Sequence, residues 1–261
     1  MLSQINHEYY DQVDSTNDRI KARAHQGAAE GLVITADLQT AGKGRIGRSW
    51  KNPTGVSIAT SILLKPTEIP VESVATITVI AGMAVRAAIE KTTGLDVLIK
   101  WPNDVVIGGK KICGILTEME MQDKKVWYAV CGIGINVHNR DFSEDIAFKA
   151  TSVDIEMDRQ RENANIPDAV HRKDITEAVW SSFAAYYNLF LKTGDLTHLK
   201  DEYEAHLANK GSKVRIEDPA GPYEATCLGI NERGELIVEA ADGQHIISSG
   251  EVSVRGIYGY V

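Results

Sequence analysis

Cysteine is scarce in this 261-residue chain: Cys113, Cys131 and Cys227 stand far apart, with no C-x-x-C spacing. That excludes a cysteine zinc site and a disulfide framework, and it reads the three as reduced core residues of a cytoplasmic protein. Seven histidines show no H-E-x-x-H pattern, so no metal site is assigned. Basic excess is also absent. Lys and Arg number 28 against 36 Asp and Glu, a net charge of −8, which argues against a general DNA- or RNA-binding protein. No apolar run approaches the ~20 residues that span a bilayer, and the first residues do not read as a signal peptide, so no membrane partner is expected. Repeats and low-complexity segments are missing. The chain lacks G-x-x-x-x-G-K-[ST], and Ser15 has no G-x-S-x-G context, so neither a P-loop nor a serine hydrolase has support.

What is present suits one large domain and one small one. Residues 9–13 and 32–36 read as strands on either side of a helix. Asp14-Ser15-Thr16-Asn17 offers N-cap chemistry for that helix, and Gly27 stops it. Residues 55–64 read as a central strand. Pro70 opens a helix whose apolar positions, from Val74 to Ile89, recur at helical spacing up to Gly94. Residues 97–100 form a strand, and Gly108-Gly109 signals a hairpin. Another strand, 126–137, reads as broken by Gly132 and Gly134. Residues 139–168 read as a long loop with short helical turns. Asp174 to Glu177 resembles a capping box, followed by a helix to Gly194 and a shorter one through Leu207. From Gly211 onward, short strands at 213–216, 224–228, 236–239, 245–248 and 252–255 alternate with glycine turns, the pattern of a small barrel. The expected organisation is α+β: a larger domain over residues 1–209 and a small β-barrel over 210–261.

Residues 39–50 carry three glycines, Lys43, Arg45 and Arg48, and no acid. Glycine permits positive φ and close backbone approach, and the cations can neutralise phosphate or carboxylate oxygens. Gly42, Gly44 and Gly47 are spaced as G-x-G-x-x-G, but Arg48-Ser49-Trp50-Lys51-Asn52-Pro53 is no helix start, which argues against a dinucleotide fold. The bland reading is a solvated surface loop. Lys100-Trp101-Pro102-Asn103-Asp104 brings an amide, a carboxylate and an aromatic to one strand end, or is an ordinary turn. Lys111 enters a strand of apolar residues and reaches an anion there, unless it is a solvated edge lysine. Gly132 and Gly134 imply close approach of a ligand or strand, or a bulge.

In this order, the motifs at 14–17, 39–50, 100–104, 111–118 and 132–137 strongly resemble biotin protein ligases, over roughly residues 9–140. The resemblance implies a mixed β-sheet flanked by helices, of the class II synthetase kind, with a small C-terminal Src-homology-3-like β-barrel. It implies two half-reactions. Biotin attacks ATP to give biotinyl-5′-AMP, and a lysine of a biotin carboxyl carrier protein or domain then takes the acyl group. That carrier belongs to acetyl-CoA carboxylase or another biotin carboxylase or decarboxylase. By the same resemblance, Lys111 bridges the biotin carboxylate and the α-phosphate. Arg45, with Lys43 beside it, holds phosphate and the mixed anhydride. Ser15, Thr16, Asn17 and Gln39 contact the ureido ring or its surroundings, and Gly132 and Gly134 leave room for biotin. Gly42, Gly44, Trp50 and Gly114 join the binding set. Asn103 and Asp104 lie near the nucleotide, with Asp104 the candidate acceptor for the carrier lysine's proton. Asn136 binds phosphate or metal, and Mg2+ accompanies ATP.

Two features depart from the family pattern. Lys43 stands where many relatives carry arginine, so a point charge replaces a two-pronged donor. Residues 139–152 are expected to close over adenosine, with Phe142, Phe148 or neither stacking on the base. The start of the chain leaves no room for an N-terminal DNA-binding domain, so a ligase without repressor function is expected, with homodimerisation through the sheet. The alternatives are a lipoate or octanoate ligase-like transferase, or a non-catalytic biotin-binding module.

Overall fold

Strands whose alternate residues face two different apolar layers make the centre of the molecule. The structure, a computed structural model, describes residues 1–51, 53–161, 166–249, 253–256 and 260–261. Its elements are β1 (Asn6–Val13), α1 (Thr16–His25), β2 (Leu32–Gln39), β3 (Ser57–Leu64), a 3-10 turn (Val71–Ala75), α2 (Thr76–Thr93), β4 (Leu98–Lys100), β5 (Asp104–Ile107), β6 (Lys110–Gln122), β7 (Lys125–Asn136), α3 (Glu144–Ala147), α4 (Val153–Gln160), α5 (Arg172–Thr193), α6 (Lys200–Ala205), β8 (Lys213–Glu217), β9 (Tyr223–Ile230), β10 (Leu236–Ala240), β11 (Gly243–Ile247) and β12 (Ser253–Gly256).

Among the described residues, β1-β2-β3-β7-β6-β5-β4 form one seven-stranded sheet. Only β1 and β2 pair in parallel; every other neighbouring pair is antiparallel, so the sheet is mixed. One face carries the large core with α2 and α5, including Val33, Ile62, Ile133, Val85 and Phe183. The other face holds a smaller cluster in which Ile20 and Ala24 of α1 cover Ile34, Leu63, Tyr128 and Val130. Strand alternation explains the split: Leu63 and Ile62 are adjacent and point to opposite layers.

The second sheet, β11-β10-β9-β8-β12, is antiparallel throughout. It matches the expected small Src-homology-3-like domain, and among the described residues its end strands β11 and β12 are not paired with each other. It is no separate bead. Its Val214, Ile216, Cys227 and Val238 join the large core. Trp101 Nε1 donates to the Gly234 carbonyl at 2.9 Å, and Thr76 Oγ1 to the Arg233 carbonyl at 3.0 Å.

The structure corrects several expectations. Strand β7 is not broken: its register with β3 runs unshifted through Gly132 and Gly134. Helix α5 begins at Arg172 with His171 at the N-cap, so Asp174 is not a cap but a first-turn acid, placed where the helix dipole favours it. Pro70 caps the short 3-10 turn rather than opening α2. Residues 139–168 hold an eight-residue helix, α4, as well as turns; 162–165 lie outside the described residues. Strand β12 begins at Ser253, and Gly250 and Val252 lie outside the described residues, as does Asn52. The segment Val71–Thr93 is long and apolar enough to cross a membrane, with hydropathy 1.5, contrary to the expectation that no run approaches that length. Scattered Thr, Glu and Lys residues interrupt the run, but its apolar residues keep the mean high. Since 78% of that window is buried inside the fold, it serves as the core helix.

Candidate functional site

The floor of the site follows from cross-strand register. Gly134 of β7 stands opposite Gly114 of β6 and Ala59 of β3; Gly132 stands opposite Leu116 and Ser61. Directly opposed residues face the same side. Tyr128 and Val130 of β7 lie on that side too, beneath α1. Where α1 ends, the side chains shrink to hydrogen, and a trench opens beside the helix N-terminus. A Cβ at Gly132 would lie 2.1 Å from Asn17 Oδ1, and one at Gly134 would lie 2.4 Å from the Trp50 ring. The unshifted register removes the bulge reading; close approach by side chains is the cause.

Ser15 sits at the N-cap of α1, yet its side chain makes no capping bond among the described residues. The residue lines the pocket. Thr16 is held by Gln39, whose Oε1 accepts from the Thr16 amide at 2.8 Å and from its hydroxyl at 3.0 Å. Ser61 Oγ is within hydrogen-bond distance of Thr16 Oγ1 and Asn17 Oδ1. Asn17 Nδ2 donates to Glu118 at 2.8 Å. Ser15, Thr16, Asn17 and Ser61 are buried, and the hydrogen-bonded groups among them are arranged in advance, with little rotamer freedom left to lose on binding.

Lys111 reaches the same trench because β6 carries a bulge. Residues three apart on a strand normally face opposite sides. Here the pairing slips between Val105 and Val106, so Lys111 turns toward Gly114's side. A Cβ on Gly114 would come within 2.9 Å of Lys111 Nζ. The backbone of Lys111 is clamped by the segment after β7: its amide donates to Lys149 O at 2.8 Å, and its carbonyl accepts from Thr151 at 2.9 Å. Lys111 Nζ lies 2.5 Å from Asp104 Oδ1. The other oxygen, Oδ2, accepts from the Tyr260 hydroxyl. Burial pushes the Asp104 carboxyl up, but Lys111, Lys100 and the hydrogen bonds from Lys111 and Tyr260 outweigh it and hold the group below its usual value. Lys100, directly across the hairpin from Asp104, is buried, and burial lowers its ammonium to about 8 against the pull of Asp104.

The glycine-rich loop forms the roof. It folds on itself through Gly44 N to Arg48 O at 2.6 Å and Trp50 N to Gly42 O at 2.9 Å. Ile46 and Gly47 turn it with φ of 55° and 69°. A β-branched residue at positive φ is strained, and Ile46 is exposed, so little surrounding structure holds it there. Arg45 donates to Asn103 Oδ1 at 2.9 Å and to the Ser249 carbonyl. Burial lowers its guanidinium pKa, with Arg48 adding to the effect and Asp104 opposing it. Lys43 binds Asp18 at 2.7 Å. The Trp50 indole lies over Gly134, and its buried Nε1 has no hydrogen-bond partner among the described residues.

One pocket is lined by Ser15, Thr16 and Asn17 from the start of α1; Gln39, Lys43, Gly44, Arg45 and Trp50 from the loop; and Asn103, Lys111, Gly114, Gly132 and Gly134 from the hairpin and floor. Ile115, Leu116 and Ile133, which were not singled out from sequence, complete it. Its cavity is about 60 Å3, well below the ~300 Å3 of a typical small-molecule pocket. Three expected residues stand outside the lining. Gly42 lies under the Trp50 backbone, where a Cβ would meet Trp50 O at 2.4 Å. Asn136 donates to Thr151 O at 3.0 Å and so tethers the segment after β7. Asp104 lies behind Lys111. Phe148 of that segment is 70% exposed, with the Lys149 ammonium 5.2 Å from its ring centroid. Lys100 had a signal in its motif; Tyr260, at the far end of the chain, had none.

The family model for biotin/lipoate A/B protein ligases matches residues 9–136, and the model for the biotin protein ligase C-terminal domain matches residues 211–255. The bifunctional ligase/repressor BirA of Bacillus subtilis is 32% identical over 248 residues, covering 94% of this chain and 73% of that protein. The biotin–[acetyl-CoA-carboxylase] ligase of Mycobacterium tuberculosis is 28% identical over 247 residues, covering 92% and 86%. The biotin protein ligase of Aquifex aeolicus, solved in complex with biotin and ATP, superposes with a TM-score of 0.79 at 29% identity, covering 96% of this chain and 99% of that one.

Proposed function

The chain belongs to the biotin protein ligase family, and from that premise we propose how its own residues divide the work. It is an ATP-dependent ligase. Biotin and ATP give biotinyl-5′-AMP and pyrophosphate, and the biotinyl group then passes to a lysine of a biotin carboxyl carrier protein or domain. The observation that carries the assignment of roles is the Lys111 ammonium, aimed by a bulge across Gly114 into a glycine-floored trench.

Biotin's carboxylate must approach a triphosphate. Like charges 4 Å apart near a protein surface repel by about 4 kcal/mol per unit pair. Lys111 offsets this by sitting between the carboxylate and the α-phosphate, where charge develops as the anhydride forms. Arg45 and Lys43 reach phosphate from the roof. Thr16, Asn17, Ser15 and Gln39 meet the ureido ring, and the hydrogens of Gly132 and Gly134 admit it. Trp50 fills ligand space in this structure, so binding lifts the indole and gives its Nε1 a partner. Asn103 orients Arg45 toward the nucleotide. Asp104 holds Lys111 first; as that lysine moves to substrate, a carboxylate oxygen is freed to accept the proton of the carrier lysine. Asn136 acts through Thr151 on the segment that closes over adenosine.

Mg2+ arrives with ATP. Among the described residues no group of three or more His, Cys, Asp or Glu could cage a cation, so the protein's residues do not fit a resident metal site, and Mg2+ rides on phosphate and water. Residues 1–209 act as the catalytic domain and 210–261 as the small domain packed on it. We place the protein in the cytoplasm with its carrier, as a homodimer through the sheet, and with a net charge of −8 we assign it no DNA site. Incubating the protein with ATP, Mg2+, biotin and a carrier domain tests the reading. Pyrophosphate release and a biotin mass increment on the carrier are expected. Modification by lipoate alone, or biotin binding without pyrophosphate, contradicts it.

A further inference from the structure

The chain's last described residues return to the charged pair behind the catalytic lysine, Asp104 and Lys100. Tyr260 lies beyond β12, past the small sheet. Its hydroxyl donates to Asp104 Oδ2, and its ring lies under the Lys100 ammonium, 4.2 Å from the ring centroid. The fold makes room for this return. A Cβ on Gly256 would fall 2.1 Å from the Val261 carbonyl group, so the tail folds back against a residue without a side chain. One aromatic side chain thus covers two charged groups of the Lys100-Trp101-Pro102-Asn103-Asp104 turn.

The chemistry assigned above has an unsolved problem at Asp104. Lys111 must leave it to bridge the two substrates, and a buried carboxylate stripped of its partner is costly. Tyr260 and Lys100 are what remains. Burial, Asp104 and the hydrogen bond from the hydroxyl to Asp104 all raise the Tyr260 phenol, so the hydroxyl stays a donor at any working pH. The ring keeps water from the Lys100 ammonium and attracts it through its face. We propose that Tyr260 is a positioning residue for adenylate formation, holding Asp104 and Lys100 together so that Lys111 is released to the biotin carboxylate and α-phosphate. It touches neither substrate. The assignment rests on the functional reading above and deepens it: the C-terminal tail completes the catalytic charge cluster of the larger domain.

Lys100 faces Asp104, Lys111, Arg255, Arg48 and the Tyr260 ring. Burial drives its proton loss down to about 8, so above that pH Asp104 loses a cation and adenylate formation falls.

Tyr260→Phe and Tyr260→Leu are compared with the parent by biotin-dependent pyrophosphate release from pH 6 to 10, with thermal melts to establish folding. Phe keeps the ring and removes the donor. The expected kcat is about tenfold lower at pH 7 with the KM for biotin within about twofold. The high-pH limb is unchanged in Tyr260→Phe and moves up in Tyr260→Leu, where water reaches Lys100. A Phe variant with parental kcat, or one whose loss lies wholly in KM, overturns the assignment while leaving the functional reading in place. A parent that releases no pyrophosphate overturns that reading, and this assignment with it.

Discussion

The floor and the roof of the pocket are built by opposite means. The floor is sheet: Gly114, Gly132 and Gly134 are fixed by backbone ladders on both sides of β7, and the Lys111 backbone is clamped by Lys149 and Thr151. The roof, from Gly42 to Trp50, is a loop whose backbone hydrogen bonds among the described residues close it on itself, with exposed Ile46 at positive φ and anchors to the rest of the chain through the side chains of Lys43 and Arg45. A fixed floor suits groups that must meet a transition state at defined distance. A roof with few anchors suits a part that opens for substrate and shuts on a water-sensitive product. The division assigns chemistry to the floor and retention to the roof.

Lys111→Ala breaks the floor most severely. With the bridging cation gone, the rate of biotinyl-adenylate formation is expected to fall by about 10³, measured by single-turnover label transfer from ATP. Retention of adenylate supplied from outside should change far less. Gly132→Val attacks the floor's shape. A Cβ there already collides with Asn17, so either that side chain or the trench must give way. Biotin affinity is expected to weaken by about 100-fold, nearly 3 kcal/mol, measured by calorimetry. A strand that flexes to restore binding would show the floor to be softer than its register suggests.

Arg45→Ala and Gly42→Val sharpen the comparison from the other side. The first loosens the roof from Asn103 and Ser249, and the second pushes at the Trp50 backbone. Both should release adenylate about tenfold faster, read by dissociation of labelled intermediate; equal rates in mutant and parent would remove the roof's role. The smallest effect expected is from Trp50→Ala. It empties space that the ligand needs, so biotin should associate several-fold faster in stopped flow.

Much of this division was legible in the residues. Lys111, Arg45 and the glycines stood out because charge and glycine are unusual in those places, and the order of their motifs along the chain resembled that of biotin protein ligases. What Gly132 and Gly134 were for was not legible. A bulge and a close approach use the same residue, and only the partner strand's register tells them apart. The bulge that shapes the site lies beside Lys111, where the sequence shows nothing but ordinary strand residues. The start of α5 was misplaced because a capping box and a first-turn acid share a spelling. Tyr260 was hidden because its meaning depends on a tail folding back some 150 residues, which no local pattern encodes.

The account's central claim, chemistry in the floor and retention in the roof, is tested most directly by following one turnover with labelled ATP and biotin in the parent, Lys111→Ala and Arg45→Ala side by side. Lys111→Ala should fail to form adenylate, while Arg45→Ala forms it and loses it to solvent. If Arg45→Ala abolishes formation as fully as Lys111→Ala, and holds supplied adenylate as tightly as the parent does, the claim is contradicted.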